Sequence, residues 1–286
     1  MIVAVASGKG GTGKTTVSTS LALVAAEKGK VCFLDCDVEE PNAHIILKPR
    51  LSGQEAVRVR VPVIEQERCT LCGRCADVCA FHALVVLPQE VMVFSPMCHG
   101  CGGCWHLCPA GAIHPGWREI GQMEEGECGK IRFVHGRLKV GEAMSPPLIR
   151  AVKQRAQAGA LNIVDAPPGT SCPVVAAVEG ADFCLLVTEP TPFGLHDLEL
   201  AWEMVSQLGI PCGVVVNRSD GRDEPVEEFC RTRNLPLLMR LPLDRDVARG
   251  YARGIPPIAV HPAWKGHFRE LLHAISERAG LKCAKS

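Results

Sequence analysis

The chain has 286 residues, 47% of them hydrophobic, which is enough to fill one large domain and a small one. Its 31 Lys and Arg balance 31 Asp and Glu, and a net charge of zero argues against bulk electrostatic binding to nucleic acid or an acidic membrane. Sixteen cysteines, no charged leader before the apolar start and no uncharged apolar run of about 18 residues fit a cytoplasmic protein in a reducing compartment, with no membrane insertion.

The first apolar run, Ile2–Ala6, reads as a buried strand. A glycine-rich loop from Gly8 to Thr15 follows it and opens a helical pattern over 14–27. Val31–Asp35 is a second buried strand, followed by the alternating residues Val57, Val59, Val61 and Val63. Residues 130–140 read as a hairpin turning at His135-Gly136. Further strands are expected at Leu161–Asp165, 183–187, 212–216 and 237–241, with helices over 146–158, 173–179, 195–208 and 226–233. A last helix, 264–279, places Phe268, Leu271, Leu272 and Ile275 on one face for core packing. Strands apolar throughout suit a parallel sheet covered on both faces. The fold class is therefore α/β, a doubly wound, mostly parallel sheet, and the glycine-rich loop Gly8 to Thr15 between its first strand and first helix makes it one of P-loop NTPase type.

Eight cysteines interrupt this rhythm in two runs of one spacing, Cys69-x2-Cys72-x2-Cys75-x3-Cys79 and Cys98-x2-Cys101-x2-Cys104-x3-Cys108-Pro109. The spacing is that of a ferredoxin with two 4Fe–4S clusters, in which the fourth cysteine of each run reaches the other cluster. The expected ligand sets are Cys69, Cys72, Cys75 and Cys108 on one cluster, and Cys98, Cys101, Cys104 and Cys79 on the other. Zinc sites use four ligands rather than two interleaved sets, and disulfide frameworks belong to small secreted domains. Ala80 stands where a proline is usual after the fourth cysteine, which bears on the turn there. His99 and His106 lie in the second run, placed to tune a cluster rather than to ligate it. A small inserted α+β bacterial ferredoxin-like domain over 62–116 thus divides the P-loop domain into 1–61 and 117–286, between the second and third parallel strands.

The glycine-rich loop has the GxxxxGK[ST] form in the strand-to-helix context that phosphate binding needs. Backbone N–H groups of Gly8, Gly10, Gly11, Thr12 and Gly13 cradle phosphates at a helix N-terminus. Lys14 reaches the β- and γ-phosphates of ATP, Thr15 binds Mg²⁺, and Thr16 completes the phosphate-binding set.

Lys9, in Lys-Gly-Gly-x-Gly-Lys-Thr-Thr, resembles the deviant Walker A lysine of the MinD/ParA/Mrp family, to which the nitrogenase iron protein is related. The resemblance implies an ATPase that forms a homodimer on ATP binding, with Lys9 contacting phosphate across the interface. By the same resemblance Asp37 positions the attacking water and Asp35 supports the Mg²⁺ shell. Ile163-Val164-Asp165-Ala166-Pro167-Pro168-Gly169 is similar to the family's Walker B strand and switch II, so that Asp165 holds Mg²⁺ through water and Gly169 approaches the γ-phosphate. Asn217 resembles the residue that reads the adenine edge, and Leu241-Pro242-Leu243-Asp244 the loop flanking the base.

With its cysteine runs and the segment Pro190–Leu198, the chain resembles MinD-type ATPases bearing an inserted ferredoxin, a subgroup associated with the orange protein complex. That implies a redox or metallocofactor-assembly partner. Cys172, seven positions after Asp165, resembles a ligand of the dimer-bridging cluster in the nitrogenase iron protein, with Cys128 roughly available as its companion. Cys32, Cys184 and Cys212 lie in strands and read as small buried hydrophobes. Cys283-Ala284-Lys285-Ser286 has the outline of a prenylation box, but Lys285 stands where an aliphatic residue is wanted. The leading function is an ATP-hydrolysing dimeric switch coupled to electron transfer. The alternatives are an iron–sulfur carrier ATPase and a ParA- or MinD-like positioning ATPase with redox-sensing clusters.

Overall fold

The computed structural model describes residues 1–280; the Cys283–Ser286 segment lies outside them. Eleven strands run in chain order: β1 Ile2–Ala6, β2 Val31–Asp35, β3 Arg50–Ile64, β4 Leu84–Val86, β5 Val91–Val93, β6 Ile113–Cys128, β7 Ile131–Leu138, β8 Leu161–Asp165, β9 Phe183–Thr188, β10 Cys212–Ser219 and β11 Leu237–Pro242. Nine form one sheet in the order β11-β10-β9-β1-β8-β2-β7-β6-β3, and β4 and β5 form a separate hairpin. From β11 to β7 every pair is parallel, whereas β6 and β3 are antiparallel additions at one edge.

Alternation along the strands feeds two cores. Ala4, Ala6, Cys32, Leu34 and Cys184 face one side, with Leu148, Val174, Leu198 and Phe229 from four helices. Val3, Val5 and Phe33 face the other, where helix α1 (Lys14–Ala25) and the helix Trp264–Gly280 pack with Leu21, Phe268, Leu271 and Ile275. Among the described residues no helix is long and apolar enough to cross a membrane.

Two expectations are corrected. Residues 130–140 are not a hairpin: β7 continues through His135-Gly136, and the chain turns at Gly129, whose φ is 58°. Gly136 serves packing instead, since a Cβ there would lie 2.7 Å from Val38 Cγ1 and 3.0 Å from Leu148 Cγ. The third parallel strand in chain order is accordingly β7 rather than Leu161–Asp165, and the cysteine segment lies between β2 and β7.

The register also fixes where that segment stands. β6 opposes β7 from Gly121↔Leu138 to Cys128↔Ile131, so Gly121 is level with the C-terminal end of β7, three residues past the level of Asp35 and Asp165. Residues 113–120 pair with β3 alone and run on past that edge. At about 3.4 Å per residue they form a two-stranded arm about 25 Å long. The ladder reaches Ile64↔Ile113, beyond the expected limits at 61 and 117, and carries residues 65–112 between its ends.

Candidate functional site

The phosphate loop leaves β1 at the same C-terminal edge. Gly11 (φ 80°) and Gly13 (φ 94°) adopt left-handed backbone conformations that place the loop over the start of α1. Lys14 is buried there, and its Nζ donates to Ser7 Oγ at 3.1 Å; Ser7 Oγ in turn donates to Lys9 O at 2.6 Å. Burial pulls the Lys14 ammonium below its ordinary range, opposed by the nearby carboxylates of Asp165 and Asp37. Lys9 is half-buried in the loop, Gly10 is exposed, and Thr15 and Thr16 are half-buried on the first turn of α1.

The acidic residues arrive from adjacent strands. Asp35 and Asp165 are register partners at the ends of β2 and β8, both buried. Burial raises both carboxyls, and for Asp35 the charge of Asp165 adds to it. Asp35 accepts from the backbone N–H of Asp37 and of Ala43, both at 3.2 Å. It therefore shapes the loop that carries Asp37, and its oxygens are engaged within the protein. Both oxygens of Asp165 lack a hydrogen-bond partner. The Thr15 and Ser18 hydroxyls lie close enough to lower its pKa, without making a well-formed bond to it. A buried carboxylate left unpaired beside Lys14 and Thr15 is a donor set suited to a hydrated Mg²⁺. Burial raises the Asp37 carboxyl to about 6, against the pull of Lys14.

Two expected nucleotide contacts are directed elsewhere in this conformation. The Gly169 N–H donates to Ser7 O at 3.0 Å. Asn217 Nδ2 donates to Thr12 O at 2.8 Å, bracing the loop from β10 and leaving its carbonyl oxygen as the group able to meet a base. Gly8 and Gly13 are held by neighbours that sequence reasoning did not connect to them. A Cβ on Gly8 would overlap the Asp197 backbone, and one on Gly13 would overlap the Asn217 amide. Ser7 was also missed, its only signal being its place between β1 and the first loop glycine.

On the arm, the eight cysteines divide between two cavities. One is lined by Cys69, Cys72, Cys75 and Cys108. The other is lined by Cys79, Cys98, Cys101 and Cys104. The two halves repeat each other's backbone. Leu71 and Gly100 (φ 53° and 66°), Gly73 and Gly102 (81° and 86°), and His82 and Gly111 (50° and 57°) occupy matching places in the two runs. Cys79 Sγ accepts from Ala83 N and Cys108 Sγ from Ala112 N, each at 3.3 Å. The turn after Cys79 thus matches its counterpart although Ala80 replaces the proline. Among the described residues no three His, Cys, Asp or Glu side chains converge on a single ion. A 4Fe–4S cluster instead takes one thiolate on each of its four irons, and four thiols around a shared cavity fit that donor set.

The second cavity is nearer the arm's root, where Val61 packs on Ala83 and Cys98; the first is nearer the tip, beside Ile113. The Phe81 and His99 rings stack at 3.5 Å beside the second cavity. Cys172 is exposed at the nucleotide edge, at the start of the helix Cys172–Val178. Cys128 ends β6 opposite Ile131, at the other edge of the sheet. A five-residue strand at about 3.3 Å per residue separates those edges by about 15 Å, so Cys128 is no companion to Cys172 within one protomer.

A family model for the CbiA family, the CobQ/CobB/MinD/ParA nucleotide binding domain, matches residues 3–258. The chain is 32% identical over 262 residues to an uncharacterised protein of Methanocaldococcus jannaschii, spanning 89% of this chain and 90% of that one. It is 25% identical over 283 residues to an iron–sulfur cluster carrier protein of Aquifex aeolicus, spanning 91% of this chain and 62% of the carrier. Among solved structures, the septum site-determining protein MinD of Pyrococcus horikoshii, complexed with Mg-ADP, superposes with a TM-score of 0.60 at 21% identity over 98% of each chain, a likeness of fold.

Proposed function

The chain is a member of the CobQ/CobB/MinD/ParA nucleotide-binding family, and on that footing we propose that it is a dimeric ATP switch whose nucleotide state governs electron transfer through two 4Fe–4S clusters. Membership implies ATP binding and hydrolysis. Phosphoryl transfer needs positioning and charge stabilisation rather than covalent catalysis. Lys14 neutralises charge on the transferring phosphate, Asp37 orients the attacking water, and Thr15 and Asp165 would hold Mg²⁺. Lys9 of each protomer reaches the nucleotide held by the other, which makes ATP binding and dimerisation one event.

The observation that carries the redox half is the division of eight cysteines into two four-thiol cavities, Cys69/Cys72/Cys75/Cys108 and Cys79/Cys98/Cys101/Cys104. Both ride on an arm rising from the nucleotide edge. Bound clusters would supply one-electron chemistry, and the chain's thiols would set their spacing and exposure. The partner is a redox or metallocofactor-assembly protein of the cytoplasm, in keeping with the resemblance to the orange-protein-associated subgroup. Anaerobic iron and sulfide analysis tests this reading, which expects about eight of each per chain. Four or fewer irons in fully reconstituted protein would count against it.

The likeness to an iron–sulfur cluster carrier over 91% of the chain favours a second reading, a carrier ATPase that passes a labile cluster to an acceptor. Transfer to an apo-acceptor that survives Cys→Ala substitution in both cysteine runs would select it.

A further inference from the structure

The arm is joined to the nucleotide machinery by a continuous set of contacts along one face of the sheet. At its root, Arg118 of β6 and Glu142 of the loop after β7 form a two-pronged ion pair, the second contact (Arg118 Nη2 to Glu142 Oε1) at 3.4 Å. The side chain of Glu142 is 4% exposed and that of Arg118 17%, so the pair is shielded from solvent and from screening by salt. Glu142 Oε1 also accepts from Met144 N at 3.0 Å, and Lys139 N donates to Ile120 O at 2.9 Å, which closes the loop onto the strand where the arm leaves the sheet.

That loop leads into the helix Pro146–Lys153. Its Leu148 presses on the root, since a Cβ on Gly121 would meet Leu148 Cδ2 at 2.8 Å. At the helix's far end Lys153 Nζ donates to Ala176 O at 2.8 Å and Glu179 O at 2.6 Å, capping the helix Cys172–Val178. This second helix follows the 165–171 segment directly, where the Gly169 N–H bonds to Ser7 O of the phosphate loop. A change at Gly169 therefore has a packed route through two helices to the base of the arm.

We propose that Lys153 and the Arg118–Glu142 pair are the positioning residues that transmit the state of the nucleotide loop to the arm and its cysteine segment. The proposal rests on the ATP-switch reading above, but needs no cluster to be tested. When a γ-phosphate draws Gly169 away from Ser7, the helix Cys172–Val178 shifts, Lys153 carries the helix Pro146–Lys153 with it, and Glu142 moves the root of the arm through Arg118. None of the three residues touches the nucleotide loop, so their substitution leaves phosphate chemistry in place.

Hydrogen exchange by mass spectrometry on the full chain tests this, comparing MgADP with a non-hydrolysable ATP analogue. In the unsubstituted protein, amides at 58–64 and 113–120 are expected to differ by about threefold or more between the two nucleotides. In Glu142→Gln and in Lys153→Met the difference at the arm is lost, while the difference at 165–171 persists. Arg118→Lys, which keeps the charge, is expected to retain part of the arm's response and guards against a variant that only loosens the fold. An arm that responds equally in the unsubstituted protein, Glu142→Gln and Lys153→Met overturns the proposal. So does an arm that ignores nucleotide while 165–171 responds. The electron-transfer reading fails differently, through a deficit of iron or a potential indifferent to nucleotide.

Discussion

Gly8 and Asp197 are in direct backbone contact, so close that a Cβ on Gly8 would overlap the Asp197 carbonyl. The first residue of the phosphate loop is thereby seated on the helix Pro192–Gln207. Thr191 caps that helix by accepting from Gly194 N at 3.0 Å, and Thr188 Oγ1 donates to Gly194 O at 2.8 Å. The Pro190–Leu198 segment is thus a platform for the loop, in addition to being a mark of resemblance.

Gly8→Ala must push loop and helix apart. An overpacked contact of this kind costs about 1–3 kcal/mol of stability, and the distorted loop should bind MgATP at least about tenfold more weakly. Denaturant unfolding and calorimetric titration measure both; unchanged affinity would mean that the contact does not shape the loop.

Lys14→Ala removes the buried ammonium that holds Ser7 and faces Asp165 and Asp37. Turnover is expected to fall by about 10²–10³, the usual cost of losing one preorganised charge donor. Iron content is expected to stay unchanged, because the cysteine cavities share no residue with the loop. Loss of iron together with turnover would contradict that independence.

Burial raises the carboxyls of Asp35, Asp37 and Asp165. A carboxyl with a folded pKa above its unfolded value binds its proton more tightly in the folded state. Its contribution to stability is full below about pH 4 and is lost as the pH rises, for Asp37 through about 6. Asp165→Asn is therefore expected to stabilise the nucleotide-free protein more at pH 8 than at pH 5; an equal effect at both would contradict the assignment. On the proposed mechanism Asp37 is ionised when it orients water, so kcat/KM, which reports free-enzyme ionisations, should drop below about pH 6. Asp37→Asn should lose both that limb and most of the activity.

Much of this was written in the sequence. The strands β1, β2 and β8 are apolar because both faces are covered, apart from Asn162 and the site residues Asp35 and Asp165 that end β2 and β8, and their limits coincide with those expected. The arm was hidden because Ile113–Cys128 contains Pro115 and three glycines and shows no alternation, its partner on one side being β3 alone for half its length. His135-Gly136 mimicked a turn because a glycine needed for close packing looks the same in sequence as one needed for a positive φ. Spacing located the loop and the thiols, whereas Ser7, Asp197, Arg118 and Glu142 act through contacts between distant segments that no local pattern encodes.

Cys79→Ala separates interleaved from sequential ligation. Cys79 belongs to the first run but lines the cavity of Cys98, Cys101 and Cys104. Its removal is expected to damage that cluster and leave the one held by Cys69, Cys72, Cys75 and Cys108, with iron falling from about eight to about four per chain. A Cys98→Ala variant should give the same residual EPR signal. Different residual signals from the two variants would mean that each run holds its own cluster.

The central claim is that nucleotide state and cluster redox state are linked, and an anaerobic EPR-monitored redox titration tests it most directly, first with MgADP and then with a non-hydrolysable ATP analogue. If nucleotide affinity differs tenfold between redox states, the midpoint potential moves by about 59 mV for one electron. The account predicts a shift of that order between the two nucleotides. Superimposable titrations, with both nucleotides shown to be bound, would contradict it and leave the carrier reading in its place.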